Sequence, residues 1–155
     1  MKKDQEMYNL TIYTDGACEP NPGKASWAWV AVKNNQVIDT NSGFLGQATS
    51  NIGELTAVLQ ALHYCDLKGI NNIKIKSDSK YVVNGITNWI INWKKKGWKT
   101  AKNKPVKNKE LWEELDYITE KLNVDYEWVK GHNKNVYNEH ADSLAKQEIE
   151  INGHN

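Results

Sequence analysis

The sequence contains no arginine: all 20 of its basic residues are lysines. That excludes bidentate guanidinium clamps, so any phosphate must be held by point-charge ammonium groups. Cysteine is scarce, with only Cys18 and Cys65. Two cysteines cannot build a disulfide framework, and no CxxC spacing offers a zinc site. Cys65 falls on the apolar stripe of an expected helix and reads as a small core residue. No apolar run approaches the roughly 18 residues needed to cross a bilayer. The N-terminal lysines Lys2 and Lys3 are not followed by an apolar stretch, which predicts no signal peptide and a cytoplasmic protein. Internal repeats and low-complexity linkers are absent as well.

What is present is enough for one folded domain. The chain has 155 residues, 39% of them hydrophobic, with seven tryptophans, which predicts a single domain over 1–155. The net charge of +1 hides an uneven distribution. Between Lys94 and Lys109 stand eight lysines and no acid, leaving 12 lysines against 19 acids, or about −7, elsewhere. A basic patch is thus carried on an acidic body.

Leu10-Thr11-Ile12-Tyr13-Thr14 alternates as a strand and is expected to end at Asp15-Gly16. Glu19 to Gly23 must be a loop. Ser26 to Lys33 and Gln36 to Phe44 read as strands joined by a tight turn at Asn34-Asn35. Asn51 to Asp66 is helical on Leu55, Val58, Leu59 and Leu62, with Gly69 as its stop. Asn72 to Ser77 is a short strand. Ser79 to Trp93 has a helical pattern with a soft point at Gly85, which predicts two short helices. Glu110 to Leu122 is a helix, Val124 to Val129 a strand, and Ala141, Leu144 and Ala145 mark a last helix. The polar end from about Glu150 to Asn155 is expected to fray. This order predicts an α/β fold: a mixed five-stranded sheet with helices on both faces.

Most acids have ordinary places; Glu110, Glu113, Glu114, Asp116 and Glu120 form a solvated helix face. Four do not. Asp15 and Asp78 stand at strand ends, Glu54 begins an otherwise apolar helix, and Asp142 lies between Ala141 and Leu144. In open α/β sheets ligands gather beyond strand ends, beside helix starts. Four acids converging there would repel unless cations neutralise them. An all-oxygen donor set suits Mg²⁺ or Mn²⁺. Two such ions about 4 Å apart can clamp the attacking and leaving oxygens of a phosphodiester. From spacing alone, an ordinary structural part is favoured for any one of the four acids, a strand-end aspartate serving as a turn former or helix cap.

Several segments carry a more specific likeness. They are Tyr13-Thr14-Asp15-Gly16-Ala17-Cys18, Asn21-Pro22-Gly23, Thr49-Ser50-Asn51 with Glu54-Leu55, and Asp78-Ser79-Lys80-Tyr81-Val82. They continue with Asn88 to Thr100, Lys104 to Asn108 with Leu111-Trp112, Val129-Lys130-Gly131-His132, and Asn138-Glu139 with Asp142 and Leu144-Ala145. In this order the chain resembles the type 1 ribonucleases H, especially the bacterial form, over nearly its full length. The resemblance implies a ribonuclease H-like fold and hydrolysis of the RNA strand of RNA/DNA hybrids by a monomer. It implies that Asp15 bridges two Mg²⁺ ions, that Asp142 helps hold the ion activating water, and that Glu54 and Asp78 hold the ion at the leaving 3′ oxygen. The products would carry a 5′-phosphate and a 3′-hydroxyl.

His132 then becomes a proton-transfer or product-release residue, a task suited to a group titrating near neutrality. Asn138, four residues before Asp142, would orient Asp142 or His132. His63, His140 and His154 have no such counterpart. Gly16, Ala17, Cys18, Asn21, Ser50, Asn51 and Lys80 are expected along the minor groove, where the 2′-hydroxyl is displayed. The basic protrusion over about 94–109, with Lys95, Lys96, Lys99, Trp98 and Thr100, would grip the DNA strand together with Thr49. Trp89 is expected instead to pack the protrusion onto the body.

Three departures stand out from the bacterial pattern. Ser50 replaces Asn, Lys80 replaces Gln, and Ile52-Gly53 replaces an Arg-Met pair. A helical Gly costs up to about 1 kcal/mol relative to Ala, which predicts a looser helix start. Two other readings are a different nuclease or phosphotransferase on the same fold, integrase-like or junction-resolving, to be betrayed by activity on duplex DNA, and a hybrid-binding module without activity. The lysine- and tryptophan-rich protrusion speaks against the first, and the four intact acids against the second.

Overall fold

A computed structural model describes residues 8–131 and 134–153 of the chain. Alternation along the first strands decides how its layers form. In β1 (Leu10–Glu19), Leu10 and Ile12 point into one core and Tyr13 into another. In β2 (Gly23–Lys33), Trp29 and Ala31 join the first core while Val30 and Val32 join the second. Both faces of the central strands are therefore apolar, and both must be covered.

β3 (Gln36–Ala48) returns antiparallel to β2 through Asn34 and Asn35, whose φ values of 52° and 61° make the tight turn read from the sequence. Next, α1 (Ser50–Lys68) covers the first face with Leu55, Val58, Leu59 and Leu62. It stops at Gly69, whose left-handed backbone (φ 71°) donates its N–H back to Asp66. β4 (Ile73–Ser77) and β5 (Val124–Trp128) complete the sheet in the order β3-β2-β1-β4-β5. β4 pairs parallel to both β1 and β5, while the β1–β2 and β2–β3 pairs are antiparallel. The mixed five-stranded sheet expected from the sequence is thus present. α4 (Lys109–Leu122) packs beside α1, and α5 (Val136–Asn152) covers the second face through Ala141.

Four expectations need correction. First, β1 does not end at Asp15; its pairing with β2 continues to Glu19 opposite Lys24. Its pairing with β4 stops at Thr14 opposite Ser77, so only that side of the strand ends there.

Second, the segment after Asp78 does not split at Gly85. α2 (Lys80–Asn84) passes through a π-helical turn (Gly85–Trp89) into α3 (Ile90–Lys95) without leaving helical geometry. Gly85 is needed for contact, because any Cβ there would strike the ring of the fully buried Trp112.

Third, Gly53 does not loosen the start of α1. Thr49 caps it, its Oγ1 accepting from the Ile52 N–H at 3.2 Å, and Gly53 is buried against β1. Fourth, α5 runs to Asn152 and Gly153 is buried, so the helix continues past Glu150, while Asn155 lies outside the described residues.

Candidate active site

β1 and β4 run parallel until Thr14 and Ser77, and each then delivers an aspartate. Asp15 stays within β1, opposite Ala28 of β2, and is only 4% exposed. Asp78 follows β4 directly. Its backbone carbonyl accepts from the Trp128 indole N–H at 3.0 Å, which ties the loop to β5. Glu54 arrives from α1 because Gly16 and Gly53 bring helix and strand together without side chains between them. Carboxylate oxygens of Asp15, Glu54 and Asp78 all lie within 4.8 Å of one another. Asp142, on α5, borders Asp15 and carries an ion pair on its outer side, 3.1 Å from its Oδ2 to Lys146 Nζ. The four acids singled out in the sequence therefore meet.

Their electrostatics follow from that crowding. Burial, then the charges of Asp78 and Asp142, push the Asp15 carboxyl up to about 8. Burial, then the charges of Asp15 and Asp78, likewise raise Glu54 well above the usual carboxylate range. One oxygen of Asp15 accepts from the Gly16 N–H at 2.9 Å, whereas Glu54 Oε1 is buried without a hydrogen-bond partner. A buried acceptor left unpaired is costly. An all-oxygen cluster that is crowded, buried and short of partners suits a hard divalent cation, which would satisfy Glu54 and relieve the repulsion.

The other candidate residues lie near the four acids in the sequence. The end of β1, with Gly16, Ala17 and Cys18, adjoins the start of α1 through Asn21. The Asn21 side chain donates to Ser50 Oγ at 3.0 Å and accepts from the Ser50 N–H at 3.1 Å. Asn51 is exposed beside this pair. Lys80 is exposed at the start of α2, its ammonium 4.8 Å from the centre of the Trp128 ring. Asn138 is buried at 1% exposure, and its Oδ1 is without a partner. His132 lies outside the described residues, as does His154. Gly131, before His132, is packed so closely on Asp78 that a Cβ would lie 2.8 Å from Oδ2. His63 is half-exposed and paired with Glu114 at 2.8 Å, and His140 is exposed.

The basic protrusion rests on a run of aromatic rings. Tyr81, Trp89, Trp93, Trp98 and Trp112 form successive contacts with ring centres 5.2–6.2 Å apart. Trp98 is partly buried in this run, as Trp93 is, and takes a left-handed backbone at φ 64°. Lys95, Lys96 and Lys99 are exposed, and Thr100 is half-buried. Lys94, by contrast, is bound to Asp116 at 3.0 Å and Glu120 at 3.5 Å on α4.

A family model described as RNase H matches residues 7–150. The chain belongs to the ribonuclease H family. A ribonuclease H of Francisella philomiragia is 48% identical over 141 residues, spanning 91% of each chain. One of Ehrlichia ruminantium is 46% identical over 144 residues, spanning 93% of this chain and 97% of that one. Among solved structures, RNase H1 of the archaeon Halobacterium salinarum is similar with a TM-score of 0.68 at 25% identity, over 92% of this chain and 98% of that one. LC11-RNase H1, solved in complex with an RNA/DNA hybrid, shares the fold with a TM-score of 0.71 at 22% identity, over 92% of this chain and 98% of that one.

The four carboxylates were legible from motifs, but the supporting parts of four other residues were not. Gly53 and Gly131 matter for the space they leave, Trp128 for its grip on Asp78, and Lys146 for its pair with Asp142. Only Lys146 had a usable signal, a lysine four residues after an aspartate on a helix.

Proposed function

We propose that this protein is a divalent-metal-dependent endonuclease that hydrolyses the RNA strand of RNA/DNA hybrids and leaves 5′-phosphate and 3′-hydroxyl ends. The observation that carries the reading is the meeting of Asp15, Glu54 and Asp78 within 4.8 Å, beside Asp142, with a Glu54 oxygen left unpaired. Following the family resemblance, Asp15 would be shared by two Mg²⁺ ions, with Asp142 on one and Glu54 and Asp78 on the other; Mn²⁺ has the same donor preference. When bound, such ions supply Lewis acidity toward a water and neutralise charge at the leaving 3′ oxygen.

The chain's own side chains do the rest. The Gly16 N–H donates to one Asp15 oxygen and helps orient the carboxylate. The Trp128 indole fixes the backbone from which Asp78 projects. His132 would accept and release a proton through its imidazole.

Substrate reading falls to the wall around the acids. Gly16, Ala17 and Cys18 are small enough for the RNA minor groove to approach the backbone. Asn21, Ser50, Asn51 and Lys80 offer polar atoms to 2′-hydroxyls and groove edges, while Asn138, expected beside them from the sequence, is buried and would instead orient Asp142 or His132. Lys95, Lys96 and Lys99, with Trp98, Thr100 and Thr49, would hold the DNA strand. We read the protein as a monomer acting in the cytoplasm. No helix among the described residues is long and apolar enough to cross a membrane.

The deciding experiment is cleavage of an end-labelled RNA/DNA hybrid with Mg²⁺, with EDTA, and by the Asp15→Asn variant, beside RNA/RNA and DNA/DNA duplexes. Metal-dependent cutting of the hybrid's RNA strand alone, lost in the variant, is the expected result. Cutting of DNA/DNA, or binding of the hybrid without cutting, would overturn the reading.

A further inference from the structure

Asn138, Asp142 and Lys146 recur every four residues along α5, so their side chains share one face of the helix. Asn138 is at the buried end of this column and Lys146, with a side chain 64% exposed, at the open end. Between them, Asp142 Oδ2 meets Lys146 Nζ at 3.1 Å. We propose that Lys146 is a positioning residue, an internal counter-cation that a divalent ion must displace from Asp142. It thereby raises the ion concentration at which the site fills. The inference rests on reading the carboxylates as a divalent-ion site.

The electrostatics of the cluster favour this role. Asp15 and Glu54 have no ion-pairing lysine among the described residues, and Asp142 does. The charge of Asp142 is one of the causes that raise Asp15, so a counter-charge on Asp142 eases the whole cluster when no ion is bound. An ammonium and a divalent ion compete for the same carboxylate lone pairs. They also repel each other while both are near.

Lys146 can leave readily. The pair joins neighbouring turns of one helix and its ammonium faces water, a geometry that holds weakly. Beside it lies a 370 Å³ cavity between β1 and α5, lined by Gly16, Cys18 and Ile149 among others. The lysine can therefore swing aside without unfolding the helix. A firmer, buried pair would block the ion, and none at all would leave Asp142 repelling Asp15.

The test is a Mn²⁺ titration of the full chain, with free Mn²⁺ read by electron paramagnetic resonance at low salt. Wild type is compared with Lys146→Gln, Lys146→Arg, Asp142→Asn and the Asp142→Asn/Lys146→Gln double variant. Removing a charge this close to the ion is expected to tighten Mn²⁺ binding by on the order of two- to tenfold in Lys146→Gln, with the gain shrinking as KCl is added. Lys146→Arg keeps the charge and is expected to bind as wild type does. In the Asp142→Asn background, Lys146→Gln is expected to add little.

A Lys146→Gln variant with wild-type affinity, or the same gain in the Asp142→Asn background, overturns the role of Lys146 alone. Failure of the wild type to bind Mn²⁺ at all overturns the metal-site reading and this role with it. Thermal unfolding in EDTA separates a merely structural part, since loss of helix stability without a change in Mn²⁺ affinity also overturns the proposal.

Discussion

Gly16 in β1 and Gly53 in α1 face each other with no side chain between them. A Cβ on Gly16 would lie 2.5 Å from both the Gly53 carbonyl carbon and the Glu54 nitrogen, and one on Gly53 would lie 2.7 Å from the Ser26 carbonyl oxygen. Backbone against backbone, the helix comes near enough for Glu54 to reach Asp15 from a neighbouring element. The glycine that weakens α1 by helix propensity is thus what sets the site's spacing.

Gly53→Ala should therefore destabilise the protein despite the better helix former. Alanine gains about 1 kcal/mol in a helix interior, while forced overpacking costs about 1–3 kcal/mol. A net loss of about 1 kcal/mol is expected in urea unfolding, together with slower hybrid cleavage as Glu54 is pushed from Asp15. A variant more stable than wild type, with full activity, would contradict the close-approach account.

The crowded carboxylates should make the metal-free protein less stable as pH rises. Asp15 is raised from 3.8 to about 8 in the folded chain. Between those values the folded state holds a proton that the unfolded state has released. Stability then falls with pH, by up to about 1.4 kcal/mol per pH unit for one group. That contribution is complete below pH 3.8 and is lost progressively up to about 8. Asp15→Asn removes it, so in EDTA the variant's stability advantage over wild type should widen from pH 5 to pH 8. Mg²⁺ should narrow the gap by favouring the ionised carboxylates. A gap that stays constant with pH would show that Asp15 titrates normally.

Much of this was legible in the sequence because it depends on local pattern. Alternation in Leu10 to Thr14, the Asn34-Asn35 turn and the stop at Gly69 are each written in a few adjacent residues. The four acids were legible because their motifs lie in family order. What could not be read depends on space between distant segments. Gly85 looked like a break but serves the ring of Trp112, and Gly53 looked like a weakness but serves the approach to β1. Asp15 looked like a strand end because the alternation stops at Thr14 and a Gly follows; the pairing with β4 does end there, whereas β2 carries the pairing on to Glu19. Thr49 was singled out for a DNA contact, and its hydroxyl is also the cap of α1.

The reciprocal bonds between Asn21 and Ser50 predict how the serine departure is tolerated. Each residue both donates to and accepts from the other, at 3.0 and 3.1 Å, and this pins the loop after β1 to the start of α1. Ser50→Ala removes the side-chain acceptor and leaves the backbone bond. On an exposed pair the loss of stability should be about 0.5–1.5 kcal/mol at most. Asn21→Ala removes both bonds and should raise KM for the hybrid more than Ser50→Ala, with a smaller effect on kcat. Equal KM values for the two variants would show that the pair does not organise the groove wall.

Lysines in the protrusion should divide by whether they already have a partner. Lys94 is held by Asp116 and Glu120, and its pKa is raised, first by the hydrogen bond to Asp116. Lys95, Lys96 and Lys99 are exposed and have no acid within ion-pair distance among the described residues. A lysine that neutralises one phosphate contributes about 0.7–0.9 to the slope of log K against log salt. In an Asp15→Asn background, in which cutting is expected to be lost, hybrid binding can be measured across a salt series. Lys95→Gln, Lys96→Gln and Lys99→Gln should each lower the slope by about that amount. Lys94→Gln should leave the slope unchanged and loosen only the seat of α3 on α4. A slope reduced as much by Lys94→Gln as by the others would mean that Lys94 gives up its acids to a phosphate.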